Sequence, residues 1–180
     1  IELLVIDSAL LAAGGEPEKA DTVRKVFTAL REINLTALII AHTTHDSERD
    51  RPFGSTMWHN MARNIWKTSI AQEENEQSLH IMLKHTKYNT TKKEKPIGYH
   101  VQWEESGIII KRENPMAVAD FIAKAPLQNR VAHELTGGAL TIKELADTLN
   151  VKEGTIRTML SRNKHLFQPV GDNQYGLSTG

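Results

Sequence analysis

The residues best placed to do chemistry by type and spacing lie late in the chain. From Lys152 to Lys164 there are four basic side chains and one acidic one. Apolar residues at Ile156, Met159 and Leu160 recur with helical spacing. The opposite face of that helix presents Thr155, Arg157, Thr158, Ser161 and Arg162, with Lys152 and Lys164 at its ends. Arg pairs with guanine edges, and Thr and Ser bond phosphate oxygens. The stretch is a candidate nucleic-acid-reading helix, or else the solvated polar face of a protein-docking module.

A second set of candidates lies in the first half. Asp7 ends the apolar run Leu3-Leu-Val-Ile. A buried strand holds a carboxylate rigidly at its C-terminal end, where ligands bind in open α/β sheets, although a strand-end cap uses the same residue. His42, His45 and His59 carry donors that suit zinc, but nothing in their spacing fixes a geometry, so no metal site is expected. Asp46, Glu48, Arg49, Asp50 and Arg51 read as a solvated loop, and Lys92, Lys93 and Lys95 as a solvated turn able to meet phosphate. Trp58, Trp66 and Trp103 read as core or interface residues rather than base-stacking platforms. No Ser-His-Asp arrangement has a recognisable spacing.

The elements that must position these residues fall into two groups. Leu3–Asp7 and Ala37–Ala41 are short apolar runs, expected as strands buried on both faces. Between them Val23, Val26, Phe27, Leu30 and Ile33 mark an amphipathic helix over 22–33. Strand, helix and strand in about forty residues read as a βαβ unit with a parallel sheet. Residues 45–54 read as a mobile loop and 56–64 as a short helix. Strand-like runs follow at 65–72, 78–85, 98–103 and 108–110, an antiparallel extension of the sheet. Asn114-Pro115 then punctuates the chain.

Beyond that point the pattern is helical. Residues 118–124 are expected as a linking helix and 127–135 as a second helix closed by Gly137-Gly138. Thr141 and Glu144 form a Thr-x-x-Glu capping box ahead of Ile142, Leu145, Ala146 and Leu149. Asn150 suits a tight turn before the helix over 152–164. Residues 167–177 read as a hairpin turning at Gly171-Asp172-Asn173.

Composition bounds the functions available. The chain has 180 residues, 22 Lys+Arg against 22 Asp+Glu, 39% hydrophobic residues and no Cys. That excludes a wholly disordered chain, a disulfide scaffold, a thiolate zinc site and a Cys nucleophile. No apolar run is long enough for a transmembrane helix. Residues 1–115 carry 15 basic and 16 acidic side chains and residues 116–180 carry 7 and 6, so nucleic-acid contact must come from a local patch. The chain opens on an apolar strand with no leading Met, and reads as beginning partway through a domain.

Two resemblances follow from these residues. Residues 127–178, through Leu140-Thr-Ile-Lys-Glu-Leu-Ala-Asp-Thr-Leu-Asn-Val-Lys-Glu-Gly-Thr-Ile-Arg-Thr-Met-Leu, resemble the winged helix-turn-helix family. Ala146 matches its small residue in the first paired helix, and the next helix would be the one laid in the DNA major groove. The wing carries no Lys or Arg. Residues 1–112 resemble RecA-like ATPases related to RepA and DnaB. Leu3–Asp7 resembles a Walker B strand, and Ala37-Leu-Ile-Ile-Ala-His resembles the next core strand. Phe53-Gly-Ser-Thr-Met-Trp-His-Asn-Met-Ala-Arg-Asn-Ile-Trp resembles a Gly-Ser-x-x-Trp-x-Asn-x-Ala-Arg-x-x-Trp stretch of that family. Leu83-Lys-His-Thr-Lys-Tyr-Asn resembles its later Lys-x-Asn element. The resemblance implies Asp7 at Mg²⁺, His42 as a γ-phosphate sensor and Lys87 reaching the triphosphate of a neighbouring subunit.

One departure bears on activity. No Gly-x-x-x-x-Gly-Lys-Ser/Thr occurs in the 180 residues, so the backbone cradle for phosphates is absent from them. The cofactors of the family are ATP and Mg²⁺, and none is expected for this chain. The expectation is an α/β protein with a partial RecA-like domain over 1–113, a linker over 114–126 and a winged helix over 127–180. It would bind DNA in replication or recombination without hydrolysing ATP. The alternative is a non-enzymatic regulator or docking module whose α/β half oligomerises. Self-association, a cytoplasmic location and no membrane contact complete the reading.

Overall fold

A computed structural model describes residues 2–43, 51–72, 77–89, 92–171 and 173–178. The mixed α/β chain runs β1 (Leu3–Asp7), α1 (Ala9–Ala12), α2 (Ala20–Ile33), β2 (Thr36–Ile40), α3 (Thr56–Met61), β3 (Asn64–Ala71), β4 (Ser78–Tyr88), β5 (Ile97–Glu104) and β6 (Gly107–Glu113). A 3-10 turn at Pro115–Ala117 leads to α4 (Ala119–Ala123), α5 (Leu127–Glu134), β7 (Leu140–Thr141), α6 (Ile142–Leu149), α7 (Glu153–Arg162), β8 (Phe167–Gly171) and β9 (Gln174–Leu177). The strands form a parallel pair β1-β2, a sheet in the order β3-β4-β5-β6 and a small sheet β7-β9-β8. No described helix is long and apolar enough to cross a membrane.

The chain divides into two compact units, one of residues 1–67 and 83–95, the other of 68–82 and 96–180. In the first unit, β1 and β2 pair in parallel with Asp7 opposite Ile40. The helix that joins them, α2, starts with Asp21 in its first turn and ends with Arg31 in its last, both favourable to the helix dipole. It stops at Asn34 in the left-handed region, whose N–H returns to the Arg31 carbonyl. Its Val23 packs with Ala9 and Trp58, and Val26, Phe27 and Ile39 join them. The Trp58 and Phe27 rings meet at 5.8 Å.

The expectation that β1 and β2 are buried on both faces is corrected here. Their exposure alternates along each strand: Leu3 is 51% exposed, Val5 54%, Leu38 54% and Ile40 42%. The physical reason is that within this unit α2 and its neighbours pack on one face of the two-stranded sheet, and these side chains stand on the other.

Local chemistry accounts for much of 53–66. Gly54 has φ +94°, and a Cβ there would lie 2.7 Å from the Pro17 carbonyl oxygen. The next residue, Ser55, donates its N–H to that carbonyl and caps α3 by accepting from the Met57 N–H. Glycine and serine are therefore needed here for close approach and capping.

In the second unit, β5 and β6 pair antiparallel with Trp103 opposite Ile108. His80 Nδ1 lies 2.8 Å from a Glu113 carboxylate oxygen, and its ring stacks on His100 at 4.8 Å. At Gly98 a Cβ would sit 2.8 Å from the Glu113 carbonyl and 2.9 Å from Pro115, so glycine lets the end of β6 and Pro115 approach β5 closely. Residues 114–126, expected as a linker, carry the 3-10 turn and α4, and bury Pro115 and Phe121. The Asn114 side chain caps that turn by accepting from the Met116 N–H.

Residues 127–178 close around their own core. Val131 and Leu135 meet Leu145, Leu149, Ile156, Leu160 and Phe167, with Leu140, Met159 and Tyr175 packed against them. Thr141 and Glu144 make the complete capping box at the start of α6. Asn150 ends α6 in the left-handed region, and the Val151 N–H bonds the Ala146 carbonyl. Arg130 Nη2 donates to the Leu149 carbonyl at 3.0 Å, which ties α5 to the end of α6. β9 lies between β7 and β8, so the hairpin expected over 167–177 gains a third strand.

Candidate nucleic-acid interface

The order of residues on α7 decides what it can present. Ile156 and Leu160 are buried and Met159 is half-buried, which fixes the helix against α5 and α6. All seven candidate residues, Lys152, Thr155, Arg157, Thr158, Ser161, Arg162 and Lys164, are exposed. At about 100° per residue, Arg157 and Arg162 stand roughly 140° apart around the axis. They border the open arc, and Thr158 and Ser161 lie between them. Gln128 of α5 lines a shallow groove with Gly154, Thr155, Thr158 and Arg162. No periodic signal marks Gln128, because its place beside α7 depends on the α5–α7 packing.

The hydroxyls have specific roles already. Thr158 Oγ1 donates to the Gly154 carbonyl at 2.9 Å, and Ser161 Oγ donates to the Thr158 carbonyl at 2.9 Å. In that arrangement both oxygens offer lone pairs outward and no proton. They can accept from an exocyclic amino group of a base but do not donate to phosphate as they stand. The cationic groups remain for phosphate: Lys152, Arg157, Arg162 and Lys164. Glu153 is the acidic side chain on this helix, and its place in the first turn suits the helix dipole. Helix α6, which leads into α7, is held by Glu144. The Thr141 N–H and then its hydroxyl, both donating at 2.8 Å, keep the Glu144 carboxyl below its ordinary pKa.

The first unit places the other candidates less uniformly. Asp7 is exposed at the C-terminal end of β1, and His42 is exposed two residues beyond the end of β2. Parallel pairing brings both to the same end of the sheet. The His42 carbonyl accepts the Phe53 N–H at 2.8 Å. The Lys87 ammonium donates to the carbonyls of His59 and Asn60, each at 2.8 Å. Those carbonyls belong to the last turn of α3, so within this chain Lys87 acts as a cation at a helix C-terminus.

His45 and the charged residues Asp46, Glu48, Arg49 and Asp50 lie outside the described residues, while Arg51 is exposed. Among the described residues no group of three or more His, Asp or Glu side chains is placed to hold a metal ion. Trp58 is buried, and Trp66 and Trp103 are partly exposed. Comparison with protein-family models, with curated proteins and with solved structures finds no match to this chain.

Proposed function

We propose that the chain binds duplex DNA through α7, carried by residues 127–178 as a winged-helix module. The observation that supports this reading is the exposed arc of α7. It is bordered by Arg157 and Arg162 and floored by hydroxyl oxygens, on a helix fixed by a closed core. A helix about 10–12 Å across fits a major groove about 12 Å wide. The two arginines then face the two phosphate walls while Gly154, Thr158 and Ser161 face the base edges. Arg157 and Arg162 thereby act as phosphate contacts and Thr158 and Ser161 as base contacts, the reverse of the roles their residue types suggest.

The first half we take to be RecA-like in origin. Asp7 and His42 at one end of a parallel pair support that reading. The exposed Leu3, Val5, Leu38 and Ile40 support a second role for it, as an oligomerising half. That role belongs equally to a non-enzymatic regulator, and self-association is proposed under both readings.

Fluorescence anisotropy with a labelled duplex across a salt series tests the DNA reading. The wild-type chain should bind with an affinity that falls steeply with salt. Arg157→Ala with Arg162→Ala should weaken binding and reduce the log–log salt slope by about 2, since each lost phosphate contact removes roughly 0.9. Mg²⁺-ATP should leave the affinity unchanged. Equal affinity and slope in the double variant would sink the reading and leave a protein-docking module.

A further inference from the structure

His85 is a buried residue of β4 with both ring nitrogens engaged. Its Nδ1 lies 3.1 Å from the Glu94 backbone nitrogen. A backbone N–H can only donate, so Nδ1 holds its lone pair and the ring proton is on Nε2, facing Asn64 Oδ1 at 3.2 Å. The ring is a neutral, satisfied pillar. Trp66 lies flat on it, with ring centroids 4.4 Å apart and planes 2° from parallel. Tyr88 tilts against the same ring at 5.4 Å.

Both aromatic side chains keep open surface, Trp66 at 39% and Tyr88 at 41%. Each is braced by His85, so little rotamer freedom is lost when something stacks on it. The Glu94 N–H bond brings the lysine segment to the same pillar, because Lys93 and Lys95 adjoin Glu94 at one Cα step of about 3.8 Å. Lys92, Lys93 and Lys95 are exposed, and no ion pair among the described residues holds them. Residues 83–95 carry five lysines and one acidic residue, Glu94. Of the five, Lys84 precedes His85 on β4 and Lys87 is engaged by α3, while Lys92, Lys93 and Lys95 lie on the segment that the Glu94 bond ties to the His85 ring.

We propose that Trp66, Tyr88, Lys92, Lys93 and Lys95 form a second binding surface, whose ligand is single-stranded nucleic acid. Unpaired bases stack on Trp66 and Tyr88, and the lysines meet the backbone phosphates. A single strand offers one π-face and one phosphate per nucleotide, which is the combination this patch matches. A duplex keeps its base faces stacked inside and leaves the aromatic pair without a role. An acidic protein segment satisfies the lysines but has no use for two braced rings. The surface shares no residue with α7, so it does not rest on the duplex-binding reading.

The test is anisotropy of labelled oligo-dT with the full chain. Trp66→Ala with Tyr88→Ala should weaken oligo-dT binding by about tenfold or more, the range for loss of base–aromatic stacking. Lys92→Gln, Lys93→Gln and Lys95→Gln together change only exposed side chains and leave the His85 pillar intact. They should weaken binding and reduce the salt slope by about 2, at roughly 0.7 per phosphate on a single strand. Arg157→Ala with Arg162→Ala should weaken duplex binding alone. Unchanged oligo-dT affinity and slope in the lysine variant overturns the proposal, even where the aromatic variant is misfolded. Displacement of labelled oligo-dT by poly-glutamate as readily as by unlabelled oligo-dT also overturns it, and identifies a surface for acidic protein.

Discussion

In residues 127–178 three helices and three short strands close around Leu145, Ile156 and Phe167, whereas in residues 2–43 packing covers one face of β1 and β2 and leaves four aliphatic side chains open on the other. Both regions are built from strongly apolar segments. They differ in how many sides of those segments the chain itself covers. Parallel strands are ordinarily covered on both faces, because their crossover helices lie there. A helical module of this size needs only to turn one stripe of each helix inward. The C-terminal region therefore carries its own stabilising core, and β1-β2 keeps one aliphatic face open.

The largest effect that sharpens this contrast is at Leu145. Leu145→Ala should cost about 2–5 kcal/mol, the range for emptying a fully buried leucine site. Leu38→Ala, on the open face, should change the stability of the dissociated chain, measured at dilution below self-association, by no more than about 0.5 kcal/mol. Urea unfolding of the full chain, with amide exchange to place the loss in 127–178, measures both. Similar costs at the two positions would erase the distinction between a closed core and an open face.

Self-association comes next. Leu38→Lys with Ile40→Lys puts two charges on the exposed face without touching Val23, Trp58 or their partners. Light scattering during size-exclusion chromatography should find the wild type as a dimer or larger and this variant as a monomer. A wild type that stays monomeric as its concentration is raised would show that the open face is tolerated in water. Scattered surface aliphatics are common, and a contiguous patch is the less ordinary case.

How much of this was legible in the sequence depends on which forces set each feature. The C-terminal elements are set by residues close in the chain: Thr141 and Glu144 mark a helix start, Asn150 a stop, and Ile156, Met159 and Leu160 a buried stripe. Those signals are local, and the helices stand within a residue or two of where they point. The parallel pair was legible as strands but not in its coverage, because an apolar run states only that burial would be favourable. It does not state how many neighbours the chain supplies. The setting of Lys87 was not legible locally: the α3 carbonyls of His59 and Asn60 hold its ammonium, and those contacts span 28 and 27 positions. Gln128 and the Trp66–His85 stack were illegible for the same reason. Gly54, Ser55 and Trp58 read as parts of one block, and the structure gives each a separate packing or capping role.

The smallest effect concerns the cap that begins α6. Glu144 is exposed, and hydrogen bonds from the Thr141 N–H and hydroxyl hold its pKa below the ordinary value. A carboxyl depressed in the folded state adds stability above its unfolded pKa. That contribution is lost as pH falls through the unfolded value toward the folded one. Glu144→Gln keeps a capping-box residue type but removes the charge that the two donors favour. The Tm of the wild type should exceed that of E144Q near neutral pH, and the gap should narrow as pH falls below about 4.5. Other carboxylates titrate in both proteins, so the difference between the two melting curves isolates this cap. A gap that stayed constant down to strongly acid pH would mean that the carboxylate charge contributes nothing, and that geometry alone holds the start of α6.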